Sequence, residues 1–431
     1  MKTAKQLVKD SKHFCVLPWI HFHAWPNKNV MPCCIADSEM PVSKLKDGES
    51  ILDMMNSEEY KKMRSAMLND ERYEACARCY ELEDNGTWTL RQSQNAVRGI
   101  DSIDLIEATN LDGSIDEFKL KYMDIRFSNL CNYKCRSCGP GCSNLWGEEK
   151  LKMIDEHVFI TRFGEEGQTK AKTLISNNED GTFMDKLRPY LDDVEECYFA
   201  GGEILVQPEH YECMDYWIEN GLADKVKLNY TTNMSKISHK NKGVKRDLIE
   251  LWNNFPNVEI WASIDAIDKQ GELIRKGFNW DKVKENMLTI KDKAPHVKVG
   301  VTPTVSIWNI FNYCEMFDWM YDNGFISRET PPRVNVLTYP DFASIKILPN
   351  DSRLAVIKEM KKYIAKFSSS EDDIHLRNDF KMLIQTLWEG KENKEKLIEF
   401  FDNNDEVDMV RDENLIATIP QLNEVYEWTQ R

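Results

Sequence analysis

The sequence predicts an α/β fold, on three observations. Short apolar strands alternate with helical segments through residues 122–345, the pattern of parallel βα units. A hairpin bearing cysteines, then a helix, precede them. Residues 346–431 read as helix. At 431 residues the chain is long for one domain, and 42% hydrophobic with 10% aromatic residues can support a sizeable core. The expected organisation is an N-terminal cysteine unit over 1–95, a linker over 96–121, a βα core over 122–345 and a helical region over 346–431.

In the first unit, Cys15-Val-Leu-Pro-Trp19 leads into Ile20–Trp25, which alternates as a strand does. Pro26-Asn27-Lys28-Asn29 predicts a turn, since asparagine tolerates the left-handed conformation. Val30 and Met31 begin the return strand, and Pro32-Cys33-Cys34 ends it. A helix is expected near 57–68. Ser57 can cap it, Glu58 and Glu59 suit its first turn, and Tyr60, Met63 and Met67 share a face. Cys76-Ala-Arg-Cys79 follows, then Tyr80, Glu81, Glu83 and Arg91. Two hairpin cysteines and a C-x₂-C pair make a four-thiolate site, for which zinc and iron–sulfur are both chemically allowed. His21 and His23 share a strand face near Cys15. They either pack as satisfied imidazoles or contact a substrate or cluster. Residues 96–121 are polar and carry Leu111-Asp-Gly-Ser, as a linker would.

The βα core opens on Asp124–Cys138, a strand that hands over to a loop with Cys131, Cys135 and Cys138. Cys142 follows Gly139-Pro140-Gly141. Three readings of these cysteines stand: one buried helical face, a closed four-thiolate site with Cys142, or a cluster held by three thiolates. Asn132, Gly139 and Pro140 make a poor helix. Further strands are expected at 195–200, 226–230, 258–263, 297–301 and 333–337. Polar residues recur at the strand ends: Gly201-Gly202-Glu203, Thr232-Asn233, Ser263-Ile264-Asp265 and Thr302–Ser306. Strand C-terminal ends are where barrel chemistry sits. Residues 143–192 form an insertion of more than one helix.

Nine of the twelve cysteines lie between Cys15 and Cys142. No apolar leader is evident, and no window approaches the about 18 apolar residues of a membrane span. The expectation is a soluble, cytoplasmic protein whose cysteines are metal ligands before disulfides. The formal charge of −16 argues against a broad nucleic-acid surface. Arg126, Lys134 and Arg136 beside the cysteine loop read either as an anion-favouring patch or as a solvated face. The acidic run from Asp402 to Asp412 reads as a solvated face. In the C-terminal region, Ile357, Met360, Ile364 and Phe367, then Leu376, Phe380, Leu383 and Leu387, mark helices expected to cover the core.

The C-x₃-C-x₂-C spacing after a strand resembles that of the radical S-adenosylmethionine (SAM) enzymes. The resemblance implies a partial (β/α)₆ TIM-like barrel. It implies a 4Fe–4S cluster held by Cys131, Cys135 and Cys138, with one iron left open to chelate SAM. Reductive cleavage of SAM then gives a 5′-deoxyadenosyl radical that abstracts hydrogen from substrate. Gly201-Gly202-Glu203 resembles the family motif that binds the SAM amino group. Asn233, Ser263 and Asp265 fall where SAM contacts are expected. Arg275-Lys276-Gly277 resembles the family's Arg-Gly element, whose arginine pairs with the SAM carboxylate; Lys276 is an extra residue. Carboxylate recognition favours arginine over lysine, hence Arg275.

Residues 13–91 resemble the twitch module, the half-size relative of SPASM domains. That implies an auxiliary 4Fe–4S cluster on Cys15, Cys33, Cys76 and Cys79, with Cys34 the alternative to Cys33. Two features depart from the family: the module precedes the barrel instead of following it, and Asn29 stands where glycine is usual. The implied partners are SAM, a peptide or small-molecule substrate (a sugar or cofactor precursor among them) and a reductant such as flavodoxin or ferredoxin. No membrane or nucleic acid is implied. The rival reading is a non-enzymatic, zinc-stabilised scaffold with two Cys₄ sites, Cys142 completing the second.

Overall fold

The computed structural model describes residues 2–150, 173–241, 243–366 and 374–431. The chain forms two compact units. Unit 1 comprises Met1–Asn129, Leu174–Asn229 and Asn254–Asn257; unit 2 comprises Leu130–Thr173, Tyr230–Asn253 and Val258–Arg431. Part of the expected insertion, residues 151–172, and Phe367 of the expected C-terminal helix lie outside the described residues.

Unit 1 is built on five strands: β1 His21–Ala24, β2 Asn29–Met31, β3 Ser43–Lys44, β4 Tyr122–Ile125 and β5 Glu196–Phe199. Their order is β3–β2–β1–β4–β5. β1 and β2 form the expected antiparallel hairpin, with His23 opposite Met31. In its turn Lys28, not an asparagine, takes the left-handed conformation at φ 71°. Asn27 instead accepts the Asn29 N–H at 3.1 Å, an Asx turn. β1 also runs parallel to β4, with His21 opposite Tyr122 and His23 opposite Asp124. Tyr122 stands opposite Glu196 and Met123 opposite Cys197 in the parallel β4–β5 pair.

Side chains alternate along a strand, so this register gives the sheet two unlike faces. Phe22, Ala24, Met123, Ile125, Cys197 and Phe199 are buried on one and form the core. His21, His23, Tyr122, Asp124 and Glu196 line the other.

The helix Glu58–Leu68 starts at Ser57, whose hydroxyl accepts the Tyr60 N–H, and it buries Tyr60, Met63 and Met67 as its spacing predicts. Helical turns run over Leu90–Gln94, a π turn over Asn95–Gly99, Ile100–Ser102 and Ile103–Glu107, so they take in the first part of the linker expected over 96–121. The polarity that suggests a linker belongs to buried, bonded side chains. Asn95 accepts from the Val16 N–H and donates to the Phe14 carbonyl, each at 2.9 Å. Arg98 reaches Glu196 at 2.7 Å.

In unit 2 three strands lie side by side: β6 Lys227–Thr232, which enters from unit 1, then β7 Val258–Ala262 and β8 Lys298–Val301. β7 and β8 are parallel, from Glu259 opposite Lys298 to Ala262 opposite Val301. Pro303 lacks the N–H that a continuous ladder needs. Past it, Thr304–Val305 pairs in parallel with Asn335–Val336, all that forms of the sixth expected strand. The result is a mixed α/β fold with parallel strands. The C-terminal region is helical, over Asn350–Ile364, Ile374–Glu389, Lys394–Arg411, Leu415–Thr418 and Leu422–Gln430. Ile357, Met360, Phe380, Leu383 and Leu387 are buried, as their spacing predicts. Among the described residues no helix is long and apolar enough to cross a membrane.

Candidate functional site

In unit 1, Cys15, Cys33, Cys76 and Cys79 line one pocket, with Arg91 and apolar side chains completing its wall. The helical turn Leu17–Ile20 and β1 carry Cys15 in, β2 delivers Cys33, and the start of the helix Ala77–Asp84 brings Cys76 and Cys79. Arg91 is fixed by Glu83, whose Oε1 accepts from Nε at 2.9 Å, and by the Phe14 and Ser11 carbonyls at 2.7 and 3.2 Å. Burial pushes the Cys15, Cys33, Cys76 and Cys79 thiols up; at Cys76 burial and then Cys79 raise it to about 12. Thiolates packed this way repel one another, and bound iron is what would hold them deprotonated. Among the described residues no three His, Cys, Asp or Glu side chains group as ligands of one metal ion. The four thiols line a pocket instead of closing on a point, and as a donor set they fit an iron–sulfur cluster.

Cys34 turns elsewhere. Its thiol hydrogen-bonds Asp124, and burial followed by that carboxylate raises it to about 12. By area Cys34 is exposed. Asp124 is ion-paired with Arg126 at 2.9 Å and lies 3.4 Å from His23 Nδ1. Arg126 and His23 hold its carboxyl well below the usual carboxylate range, outweighing its burial.

In unit 2, Cys131, Cys135 and Cys138 share one loop. Asn144 accepts the Cys131 N–H at 3.0 Å, Trp146 Nε1 donates to the Cys135 carbonyl at 3.0 Å, and the Cys138 N–H bonds that same carbonyl at 3.0 Å. The Cys135 and Cys138 thiols contact each other, and Cys138 also contacts Cys142. Lys134–Cys135 pairs antiparallel with Arg275–Lys276, Arg275 opposite Cys135. That ladder brings Arg275 Nη1 to 3.7 Å from the Cys135 sulfur. Arg275 is also a two-pronged partner of Asp265, through Nε to Oδ2 at 2.8 Å and Nη2 to Oδ1 at 2.9 Å. Asp265 is buried and accepts the Thr304 N–H at 2.8 Å. Gly277 has φ +104°, and a Cβ there would lie 2.9 Å from the Asn132 carbonyl oxygen, so only glycine lets this ladder close on the loop.

The other predicted residues divide between the units. Asn233 donates to Asn132, beside Cys131, at 2.9 Å. Ser263 follows β7, and its N–H bonds the Thr232 carbonyl at 2.8 Å. Unit 2 thus brings Cys131, Cys135, Cys138, Asn233, Asp265 and Arg275 to one loop. Gly201, Gly202 and Glu203 belong to unit 1. Gly201 has φ +88°, and a Cβ there would lie 2.8 Å from Arg126 Cδ. Glu203 is buried and accepts the Leu205 N–H at 3.1 Å.

Residues 15–80 match the family model described as SPASM, an iron–sulfur cluster-binding domain. The match begins on Cys15 and ends just past Cys79, so the matched stretch spans all four pocket thiols. No curated protein matches the chain. Among solved structures it is similar to native anSMEcpe with bound AdoMet and Cp18Cys peptide, at 16% identity and TM-score 0.34, covering 56% of this chain and 59% of that one. It is similar to native anSMEcpe with bound AdoMet at 14% identity and TM-score 0.36, over 56% of this chain and 59% of that one. A hexahistidine-tagged form with bound AdoMet gives 14% and 0.37, over 57% and 58%. The chain therefore spans less than two thirds of the length of these structures.

The sequence does not reveal what surrounds the unit 2 loop. Arg136 is buried and pairs with Asp408, with Glu413 at 2.8 Å and with Asn404 at 2.6 Å. Lys134 pairs with Glu149, which Arg411 also holds at 2.8 Å. Lys276 meets Glu413 at 2.7 Å. Neither Lys134 nor Arg136 lies on a solvated face, and Asp408 of the acidic run is likewise engaged. Their partners lie up to 277 residues away along the chain, and no local pattern announces them.

Proposed function

We propose that the chain is a radical SAM enzyme with a partial (β/α)₆ TIM-like barrel and a SPASM-type auxiliary cluster domain. In this reading Cys131, Cys135 and Cys138 hold the SAM-binding 4Fe–4S cluster, and Cys15, Cys33, Cys76 and Cys79 hold the auxiliary 4Fe–4S cluster. The observation that carries it is the meeting of Cys135, Asp265 and Arg275. Two motifs set apart by 140 residues in the chain converge on the middle cysteine of the loop.

When bound, such a cluster supplies one electron to the SAM sulfonium, giving a 5′-deoxyadenosyl radical that abstracts hydrogen from substrate. The protein's own part is to bind and orient. Asp265 fixes the Arg275 guanidinium through two hydrogen bonds, leaving Nη1 aimed at the Cys135 sulfur. An N–H directed at a ligating thiolate disperses its charge and tunes the site. The motif role of Arg275, pairing with the SAM carboxylate, would use the donors that Asp265 leaves open. Asn233, Ser263 and the Gly201-Gly202-Glu203 turn keep the SAM contacts that their motifs imply. The substrate is a peptide or small molecule, and a one-electron donor such as flavodoxin or ferredoxin is the reductant required.

Anaerobic reconstitution tests the reading. About eight irons per chain and release of 5′-deoxyadenosine from SAM on chemical reduction are expected. Two tightly held zinc ions, with no SAM cleavage, would overturn it in favour of the Cys₄ scaffold.

A further inference from the structure

The polar face of the unit 1 sheet holds an acceptor that nothing among the described residues satisfies. His21 and His23 lie on β1 opposite Tyr122 and Asp124, so all four side chains share that face. His21 is 1% exposed and Asp124 0%. Each histidine places Nδ1 at 2.7 Å from a main-chain oxygen, Tyr122 for His21 and Asp124 for His23. A carbonyl only accepts, so Nδ1 carries the proton in both rings and Nε2 is a bare lone pair. His23 Nε2 is satisfied, because Trp25 Nε1 donates to it at 2.7 Å. His21 Nε2 has no partner among the described residues. Asp124 Oδ1 is taken by Arg126, whose Nε lies 2.9 Å away as an ion pair. Buried polar atoms are rarely left unpaired, and each such case calls for an explanation.

We propose that this face is a binding subsite for an uncharged hydrogen-bond donor, a hydroxyl or an amide N–H of a bound ligand, received by His21 Nε2. The unsatisfied His21 Nε2 is an acceptor, so the group it lacks is a donor. A cationic ligand would meet Arg126 already seated at Asp124. An anionic ligand would find no proton on Nε2, because burial and then His23 lower His21 to about 4 and keep it neutral. The ring of His21 is preset, stacked on Tyr122 with centroids 4.8 Å apart. The subsite rests on unit 1 alone and does not depend on the radical chemistry.

The test is ¹⁵N NMR of the full-length protein labelled at histidine, titrated with N-methylacetamide as the amide donor and 1,2-propanediol as the hydroxyl donor. N,N-dimethylacetamide, which cannot donate, is the control. A saturable shift of the His21 Nε2 resonance with either donor and not with the control is expected, and the responding donor identifies the source. No saturable shift, meaning that water alone serves this nitrogen, or an equal shift with the control, overturns the proposal. His21→Phe keeps the ring stack and removes the acceptor, so the donor-dependent response read at His23 should vanish. Its persistence would also overturn the assignment.

Discussion

The two cysteine groups use the same ligand atom in opposite settings. In unit 1 the four thiols come from a hairpin and a helix start spread over residues 15–79, and the wall around them is apolar apart from Arg91. That arginine is already engaged by Glu83, Ser11 and Phe14. In unit 2 three cysteines fall within eight residues of one loop, and their neighbours are polar: Arg275 on Asp265, Asn233 on Asn132, Arg136 on Asn404. A closed, apolar wall suits a cluster whose corners are all protein. A polar surround suits one that must also receive a charged second ligand, since buried charges need partners. The contrast teaches that the surroundings, more than the cysteine count, separate the two roles we propose.

The sharpest way to break that contrast is to remove one thiol from each group. Cys135→Ala should abolish SAM cleavage entirely and leave only the auxiliary iron, about half of about eight per chain. Measurable 5′-deoxyadenosine from this variant would refute the assignment of the loop. In unit 1, Cys33→Ala should also halve the iron, whereas Cys34→Ala should leave it unchanged, because Cys34 faces Asp124 and not the pocket. Iron analysis and the charge-transfer absorption read both outcomes. Equal loss in the two variants would mean that the hairpin pair shares the ligand role.

A smaller effect is expected one layer out. Asp265→Asn keeps the size of the side chain but weakens the fork that orients Arg275. Loss of such a partner to a metal site typically costs about 10–100-fold in affinity or activity. The expectation is that fall in SAM cleavage with iron content retained, and Arg275→Lys should fall similarly because lysine cannot keep the planar fork. Full activity in Asp265→Asn would leave the Asp265–Arg275 pair as scaffolding only.

The cysteine groups and the glycines were readable because each is a local pattern with one chemical use. Gly277 and Gly201 show this: both take a positive φ and both leave no room for a Cβ. What could not be read is what depends on distant partners. Residues 96–107 look like a linker because they are polar, yet Arg98 is polar in order to bind Glu196. The joining of β1 to β4 is another case: both strands are short, and pairing residues about 100 apart leaves no trace in either. The same holds for Arg136, whose acidic partners sit in and just past a helix that by composition should face water.

The polar face of unit 1 also makes a pH prediction that the thiol pocket does not. The folded state lowers His21 from 6.5 to about 4, chiefly by burial and then by His23. Below 6.5 the unfolded chain takes up a proton that the folded one refuses. This contribution to stability is therefore whole above about pH 6.5 and is lost as the pH falls toward 4, by up to about 3 kcal/mol. Denaturant melts between pH 7 and 4.5 should show that acid limb in the wild type and a flatter one in His21→Phe. An unchanged slope would mean that the ring is not buried neutral.

The smallest expected effect is at Cys142, and it bears most directly on the difference between the two groups. Its thiol touches Cys138, so by proximity alone it is a fourth sulfur for the unit 2 loop. Were it a ligand, unit 2 would have the closed set of unit 1, and the polar neighbours around Arg275 would serve no second ligand. The open-site reading instead gives Cys142 a packing role after the Gly139-Pro140-Gly141 turn, where its N–H bonds the Gly139 carbonyl at 3.0 Å. Cys142→Ala should therefore keep its iron, its absorption and its SAM cleavage within about twofold of wild type, since a lost thiol contact is worth little beside a lost iron ligand. Cys138→Ala, four residues earlier, should lose all three. If the two alanine variants fail alike, the loop is a four-sulfur site and the proposed chemistry has no open iron to start from.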